Sequence, residues 1–221
     1  MNKTITTLAL ILTSAAISSA SHVFVSPISA TSTTSGDLWP VSNLVQGPGV
    51  GFDAAAPHGR ILGGSAGNWV TGAPGGFPSD FIAVAGAPVL VFDLGSDSAI
   101  SAIHTWGYSV TNANGVMDFS LRFATDADGL GGFGTSIAAN PLFSMLIDDI
   151  PMQTNGLGGV ITTRYVEMTA LTTHITNGGS GPPAGGDRVG LGEVSFSIPE
   201  PSISLLGLLA FGGLALRRRR I

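Results

Sequence analysis

From residue 89 onward, apolar and polar positions alternate in short runs separated by glycine-rich turns. Val89-Leu90-Val91-Phe92-Asp93-Leu94 is β-branched and aromatic, follows Pro88 and closes on Gly95, which predicts a buried strand. Ala99 to Tyr108 predicts a second strand. Phe119, Leu121 and Phe123 alternate with Asp118, Ser120 and Arg122, a period of two with one wet face. Pro141 to Ile147 is a weaker strand. Arg164 to Thr169 sets Val166 and Met168 against Tyr165 and Glu167. Val189 to Ile198 sets Val194, Phe196 and Ile198 against Glu193, Ser195 and Ser197. Upstream, the Ser-, Thr- and Ala-rich stretch Ser21 to Ser35 reads as a mobile leader or a first strand. The body shows no helical period. Many short strands with turn residues between them predict an all-β fold, an antiparallel β-sandwich.

Both ends of the chain break this pattern. Lys3, an apolar stretch from Ile5 to Ile17, and small Ser18 and Ala20 read as a signal peptide over residues 1–20, with a second candidate cut after Ala30. At the other end Pro199-Glu200-Pro201 leads into an uncharged run, Ile203 to Leu216, that stops at Arg217-Arg218-Arg219-Arg220. As a helix this run is about 21 Å long against about 30 Å of bilayer hydrocarbon, a marginal single transmembrane helix. The arginines resist translocation, which keeps them cytoplasmic and the body outside. Pro199 and Pro201 hold the backbone around Glu200 extended.

The order Pro-Glu-Pro, apolar run, arginine block resembles the PEP-CTERM sorting signal of Gram-negative and related bacteria. The resemblance implies recognition by an exosortase, a membrane cysteine protease, with cleavage near Pro199, Glu200 and Pro201 and with Arg217, Arg218, Arg219 and Arg220 as the stop. The alternative is an ordinary tail anchor. The expected organisation is a signal peptide (1–20), a β-sandwich domain (21–198) and a sorting tail (199–221). The expected location is the cell envelope, outer surface or matrix, after transient anchoring in the inner membrane.

Composition narrows the partners. The body carries four arginines, Arg60, Arg122, Arg164 and Arg188, no lysine, and every acid of the chain except Glu200. It is therefore strongly acidic, which repels nucleic acid and anionic membrane surfaces and leaves neutral glycans and divalent cations as partners. With no cysteine there is no disulfide, thiolate metal site or cysteine nucleophile.

The order of segments carries a second resemblance. Ser42-Asn43-Leu44-Val45-Gln46-Gly47 is followed by Val91-Phe92-Asp93-Leu94-Gly95 and then by Ile103 to Tyr108. After these come Gly115 to Asp126, Arg164 to Met168, and Gly190-Leu191-Gly192-Glu193-Val194-Ser195-Phe196. This order is similar to the discoidin, or coagulation-factor type C, domain, one of the galactose-binding-like jelly rolls. The resemblance implies a structural calcium held by a glutamate opening the last strand, the place of Glu193, and by the early loop around Asn43. Relatives carry an aspartate in that loop where this chain has Gln46. Calcium takes six to eight oxygens, several of them charged, so the site is a ligand short. The alternative is a glutamate satisfied by backbone amides. The resemblance also implies glycan contacts from loop aromatics, arginine and histidine. The candidates are Trp69, Arg60 and His58, with core packing as the alternative for Trp69; Trp106 and His104 lie in a strand pattern, and Trp106 is expected in the core.

Three motifs point elsewhere without the context they require. Gly63-Gly64-Ser65-Ala66-Gly67 fits G-x-S-x-G, but Asn68-Trp69-Val70-Thr71-Gly72 and Pro74 follow where a nucleophile elbow needs a helix. Gly129-Leu130-Gly131-Gly132-Phe133-Gly134 fits G-x-G-x-x-G, but Asn140-Pro141 interrupts the helix that a dinucleotide site requires. Asp126-Ala127-Asp128-Gly129 opens like a calcium loop and lacks its closing glutamate. The function expected is a non-enzymatic adhesive or structural module binding extracellular polysaccharide. The alternatives are a glycan hydrolase, which needs Asp148, Asp149, Glu167 and Glu193 to converge, and an envelope filler with no ligand.

Overall fold

The computed structural model describes residues 23–46, 67–77, 79–108, 114–135, 143–144, 152–176 and 185–199. The leader before residue 23 and the tail beyond Pro199 lie outside them, as do His58, Arg60, Asp148 and Asp149. Among the described residues no helix is long and apolar enough to cross a membrane.

Nine strands are described: β1 (Val23–Val25), β2 (Ser29–Ser32), β3 (Trp69–Val70), β4 (Val89–Trp106), β5 (Asp118–Ala124), β6 (Phe143–Ser144), β7 (Gln153–Ala170), β8 (Gly190–Leu191) and β9 (Glu193–Ile198). Seven form one antiparallel sheet in the order β1-β9-β4-β7-β5-β6, with β2 also paired to β4, and β3 and β8 form a second, small antiparallel sheet. A single apolar core holds residues of both sheets: Leu90, Phe92, Ile103 and Phe196 from the large one, Trp69 and Leu191 from the small one. The fold is mostly β and antiparallel, with two sheets sharing one core in the manner of a sandwich.

Two stretches that read as separate strands, Val89–Leu94 and Ala99–Tyr108, are one strand, β4. Gly95, with φ 86°, sits in a bulge between Asp93 and Ser98 rather than in a turn. A second register shift follows Ile100. The first bulge adds residues on β4 and the second on β7; Leu90, Phe92, Leu94 and Ile100 keep the same alternation inward, and beyond the second shift the core position moves to Ile103. Strand β7 begins eleven residues before Arg164, in a Gly-rich segment without alternation. The wet face expected of β9 is buried too: Glu193, Ser195 and Ser197 are 1%, 0% and 0% exposed.

The described helices are short. α1 (Phe81–Ala85) is capped by Asp80, whose Oδ1 accepts from the amides of Ile82 (2.9 Å) and Ala83 (3.3 Å), and it ends at Gly86. A 3-10 turn, Val41–Val45, packs against β9 and β3. Val23 lies opposite Ile198 in the ladder, so both ends of the described fold leave from neighbouring strands.

Candidate functional site

The small sheet builds a groove. Val70 of β3 accepts from the Gly36 amide (2.7 Å) and its own amide donates to the Trp39 carbonyl (3.4 Å), which straps the turn Gly36–Trp39 onto the strand. A Cβ on Gly36 would stand 3.2 Å from the carbonyl oxygens of both Val70 and Thr71, so the strap needs glycine there. One residue further on, Thr71 donates its amide to Val189 (2.9 Å) and accepts the Val189 amide on Oγ1 (2.9 Å). That pair fixes the segment carrying Arg188. Trp39 and Arg188 are thus anchored to adjacent residues and meet: the guanidinium carbon stands 5.4 Å from the centroid of the Trp39 ring. Ser35, Asp37, Leu38, Trp39, Gly72 and Arg188 line a groove of about 310 Å³.

Its chemistry follows from how the cations are used. Arg122 donates to both oxygens of Glu167 (2.6 and 2.8 Å), and Arg164 donates to both oxygens of Asp93 (2.9 and 3.0 Å) and to Asp126 (2.7 Å). Among the described residues Arg188 makes a single long ion pair, 3.9 Å to Asp187, and its side chain is 34% exposed. A guanidinium with five donors, a half-buried indole and the exposed Asp37 carboxylate share one concavity. A sugar presents hydroxyls that both donate and accept along its edges and C–H faces above and below. Those surfaces match the groove's donors, acceptor and ring.

The candidates from sequence fall differently. Trp69 is 0% exposed; its indole N–H donates to Ser35 Oγ (3.0 Å) and the Thr34 carbonyl (3.3 Å). It cannot stack on a sugar, and it holds up the groove wall from beneath. Trp106 and His104 are likewise fully buried, His104 Nδ1 lying 2.9 Å from Thr154 Oγ1. His58 and Arg60 lie outside the described residues, as do Glu200, Pro201 and Arg217 to Arg220. Pro199 follows β9 directly and is exposed. Trp39 and Arg188 were not among the sequence candidates. The turn Gly36-Asp37-Leu38-Trp39-Pro40, a tryptophan between glycine and proline outside any alternating run, was the available signal for Trp39.

For calcium, Glu193 and Asn43 do come from packed elements, since the 3-10 turn lies against β9. Asn43 Nδ2 donates to the Asn68 carbonyl (2.7 Å), and its Oδ1 accepts from Gln46 Nε2 (3.3 Å). Asp187 faces Arg188. Among the described residues no three acidic or histidine groups stand close enough to share a metal, and a single carboxylate is a poor fit to the charged oxygens that calcium takes. The turn at Asp126 to Gly129 is bonded within the protein. Asp128 accepts from the hydroxyl (2.6 Å) and amide (3.1 Å) of Thr125, which together hold its carboxyl below the ordinary range, and Asp126 accepts from Arg164. Gly129 to Gly134 is an irregular loop closed onto the Phe123 carbonyl. Of the four acids a hydrolase would bring together, Glu167 and Glu193 face opposite ends of β4, at Val91 and Trp106.

No family model and no curated protein matches the chain. Solved structures do. A family 32 carbohydrate-binding module from C. perfringens, in complex with galactose, is similar at 13% identity over 76% of this chain and 91% of that one, with a TM-score of 0.48. A CBM32 module from Clostridium perfringens in complex with GalNAc-β-1,3-galactose is similar at 14% identity over 76% and 94%, TM-score 0.47. The lectin domain of lectinolysin, complexed with Lewis B antigen, is similar at 14% identity over 77% and 92%, TM-score 0.45. Likeness at this level assigns neither a family nor a ligand to this chain.

Proposed function

We propose that this is an exported, non-enzymatic β-sandwich that binds extracellular polysaccharide in the Trp39–Arg188 groove. The observation that carries the reading is the Arg188 guanidinium lying over Trp39, with no carboxylate of the described residues closer than 3.9 Å, in a groove that also holds Asp37. Where the other two described arginines are saturated by carboxylates, this one presents donors to a ligand. A binding role is further supported by the lining, which among the described residues offers one carboxylate, Asp37, whereas glycoside hydrolysis commonly uses two flanking the scissile bond.

Delivery is proposed on the terminal sequences. The signal peptide exports the chain, the short apolar run and arginine block stall it in the inner membrane, and an exosortase-type protease acts near Pro199-Glu200-Pro201, leaving the body in the envelope or matrix. The exposed position of Pro199 at the end of β9 suits cleavage there. Mass spectrometry of the exported protein tests the delivery: a start at Ser21 and an end near Pro199 are expected, and intact Met1 and Ile221 on the surface protein would overturn it.

Affinity electrophoresis of the full chain through gels containing polysaccharides tests the binding. Retardation by at least one neutral polymer is expected, with Trp39→Ala and Arg188→Ala each lowering affinity about tenfold or more and leaving the melting temperature unchanged. Retardation that survives both substitutions would place binding elsewhere.

A further inference from the structure

The Trp39–Arg188 groove does not end at Gly72. A second hollow, of about 540 Å³, begins there and shares both Ser35 and Gly72 with the first. One wall carries the hydroxyl residues Thr33, Thr34 and Ser35. The other is apolar, with Pro74, Ala85 and Pro88, and among the described residues no charged one lines this hollow. Each hollow is of small-ligand size, within the usual range of about 300–1,000 Å³. The two hollows adjoin at Ser35 and Gly72 and each is open rather than enclosed, so together they read as a trough. Both walls are firmly set: the Trp69 indole holds Ser35, and the amide of Phe81 donates to the Gly186 carbonyl (2.7 Å), tying α1 to the loop that leads to Arg188.

We infer that the trough takes an internal stretch of a neutral polysaccharide, several sugar units long, running from Trp39 past Gly72 to the α1 side, rather than a single terminal sugar. This rests on the proposed glycan-binding role and names its ligand class. Length follows from the shared boundary, because a polymer crossing Gly72 fills both hollows and a monosaccharide fills one. Neutrality follows from charge. Asp37 in the same groove and Asp187 beside the guanidinium offset Arg188, the described lining of the far hollow is uncharged, and the acidic body repels polyanions.

Gly72 supplies the test. A Cβ built there meets nothing within 4 Å, and its φ is not in the left-handed region, so a side chain fits without strain and projects into the junction. The full chain is titrated with ladders of neutral glucan, galactan and mannan oligosaccharides, from mono- to hexasaccharide, and with polygalacturonate. Affinity should rise about tenfold or more from mono- to tetrasaccharide on one neutral ladder. Gly72→Phe should abolish the gain from mono- to tetrasaccharide. Ala87→Trp, at an exposed position that lines the far hollow and not the Trp39–Arg188 groove, should reduce the tetrasaccharide to the affinity of the monosaccharide while leaving the monosaccharide unaffected, and serves alone if the first variant does not fold. A monosaccharide bound as tightly as the hexasaccharide, indifference to both substitutions, or tighter binding of polygalacturonate overturns the inference and leaves glycan binding standing. Failure of the parent chain to bind any of these polymers overturns both.

Discussion

Two regions of this protein use arginine in opposite ways. On the large sheet, Arg122 and Arg164 are each gripped by a carboxylate through two hydrogen bonds and lie over Phe133 and Tyr165, at 5.5 and 4.9 Å. At the edge of the small sheet, Arg188 lies over Trp39 at 5.4 Å, and the nearest carboxylate among the described residues is 3.9 Å away. All three pack on an aromatic ring. The difference is whether the planar fork is already occupied. An arginine closed by two bonds contributes to the fold, while one left open can contribute to recognition. Aromatic packing alone is therefore no guide to a binding site.

The largest effect should come from the residue that supports the open arginine's surroundings. Trp69→Ala removes a fully buried indole and with it the hydrogen bonds holding Ser35 and Thr34. Denaturant unfolding should show a loss of about 3–5 kcal/mol, and glycan affinity should fall with it. A Trp69→Ala protein as stable as the parent would mean that the small sheet is not part of the core.

A smaller effect belongs to the closed arginines. Hydrogen bonds from Arg164 hold the Asp93 carboxyl below its ordinary value against an upward push from burial, with the Gly95 amide and the charge of Arg164 adding to the lowering. A depressed carboxyl stabilises the fold above its unfolded value, near 4, and that contribution disappears as pH falls through the lowered one. Arg164→Gln should therefore be less stable than the parent at neutral pH, and the gap should close below about pH 4. Because the pair is partly exposed, added salt should narrow the gap as well. Glycan binding should be unchanged; a loss of binding in Arg164→Gln would erase the contrast between the two regions.

The smallest effect is expected between the 3-10 turn and β9. Only one carboxylate, Glu193, comes from the described residues there, and the Asn43 amide is engaged by Asn68 and Gln46. A chelator should leave the melting temperature where it is, and a clear downward shift would show a cation held at that end of the molecule.

Strict alternation made β5 and the second half of β7 legible in the sequence, because polar side chains line one face of each, half-buried on β5 and on β7 carrying Glu167, which Arg122 pairs. It failed where both faces are covered. Ser195 and Ser197 looked solvated and are buried, Ser195 Oγ donating to the Val25 carbonyl (3.2 Å). It failed again at Gly95-Ser96-Asp97, where turn-forming residues serve a bulge within one long strand. The site was less legible than the fold. Trp69 reads from sequence as a candidate loop aromatic, yet the small sheet buries it. What distinguishes Trp39 is the company of Arg188, nearly one hundred and fifty residues away, brought close only by hydrogen bonds to Val70 and Thr71.

The place of β9 in the large sheet has a mechanical consequence. It lies between β1 and β4, it ends at exposed Pro199, and Val23 stands opposite its last residue. A tug on Pro199 acts along the strand, so the rungs to β4 are loaded in shear and resist together, instead of opening one by one as they would if the strand were peeled sideways. Arg188, on the wall of the trough, lies in the segment that leads through β8 into Glu193, the first residue of β9. A body held at one end of this strand and gripping a polymer near the other would carry tension through its own central ladder.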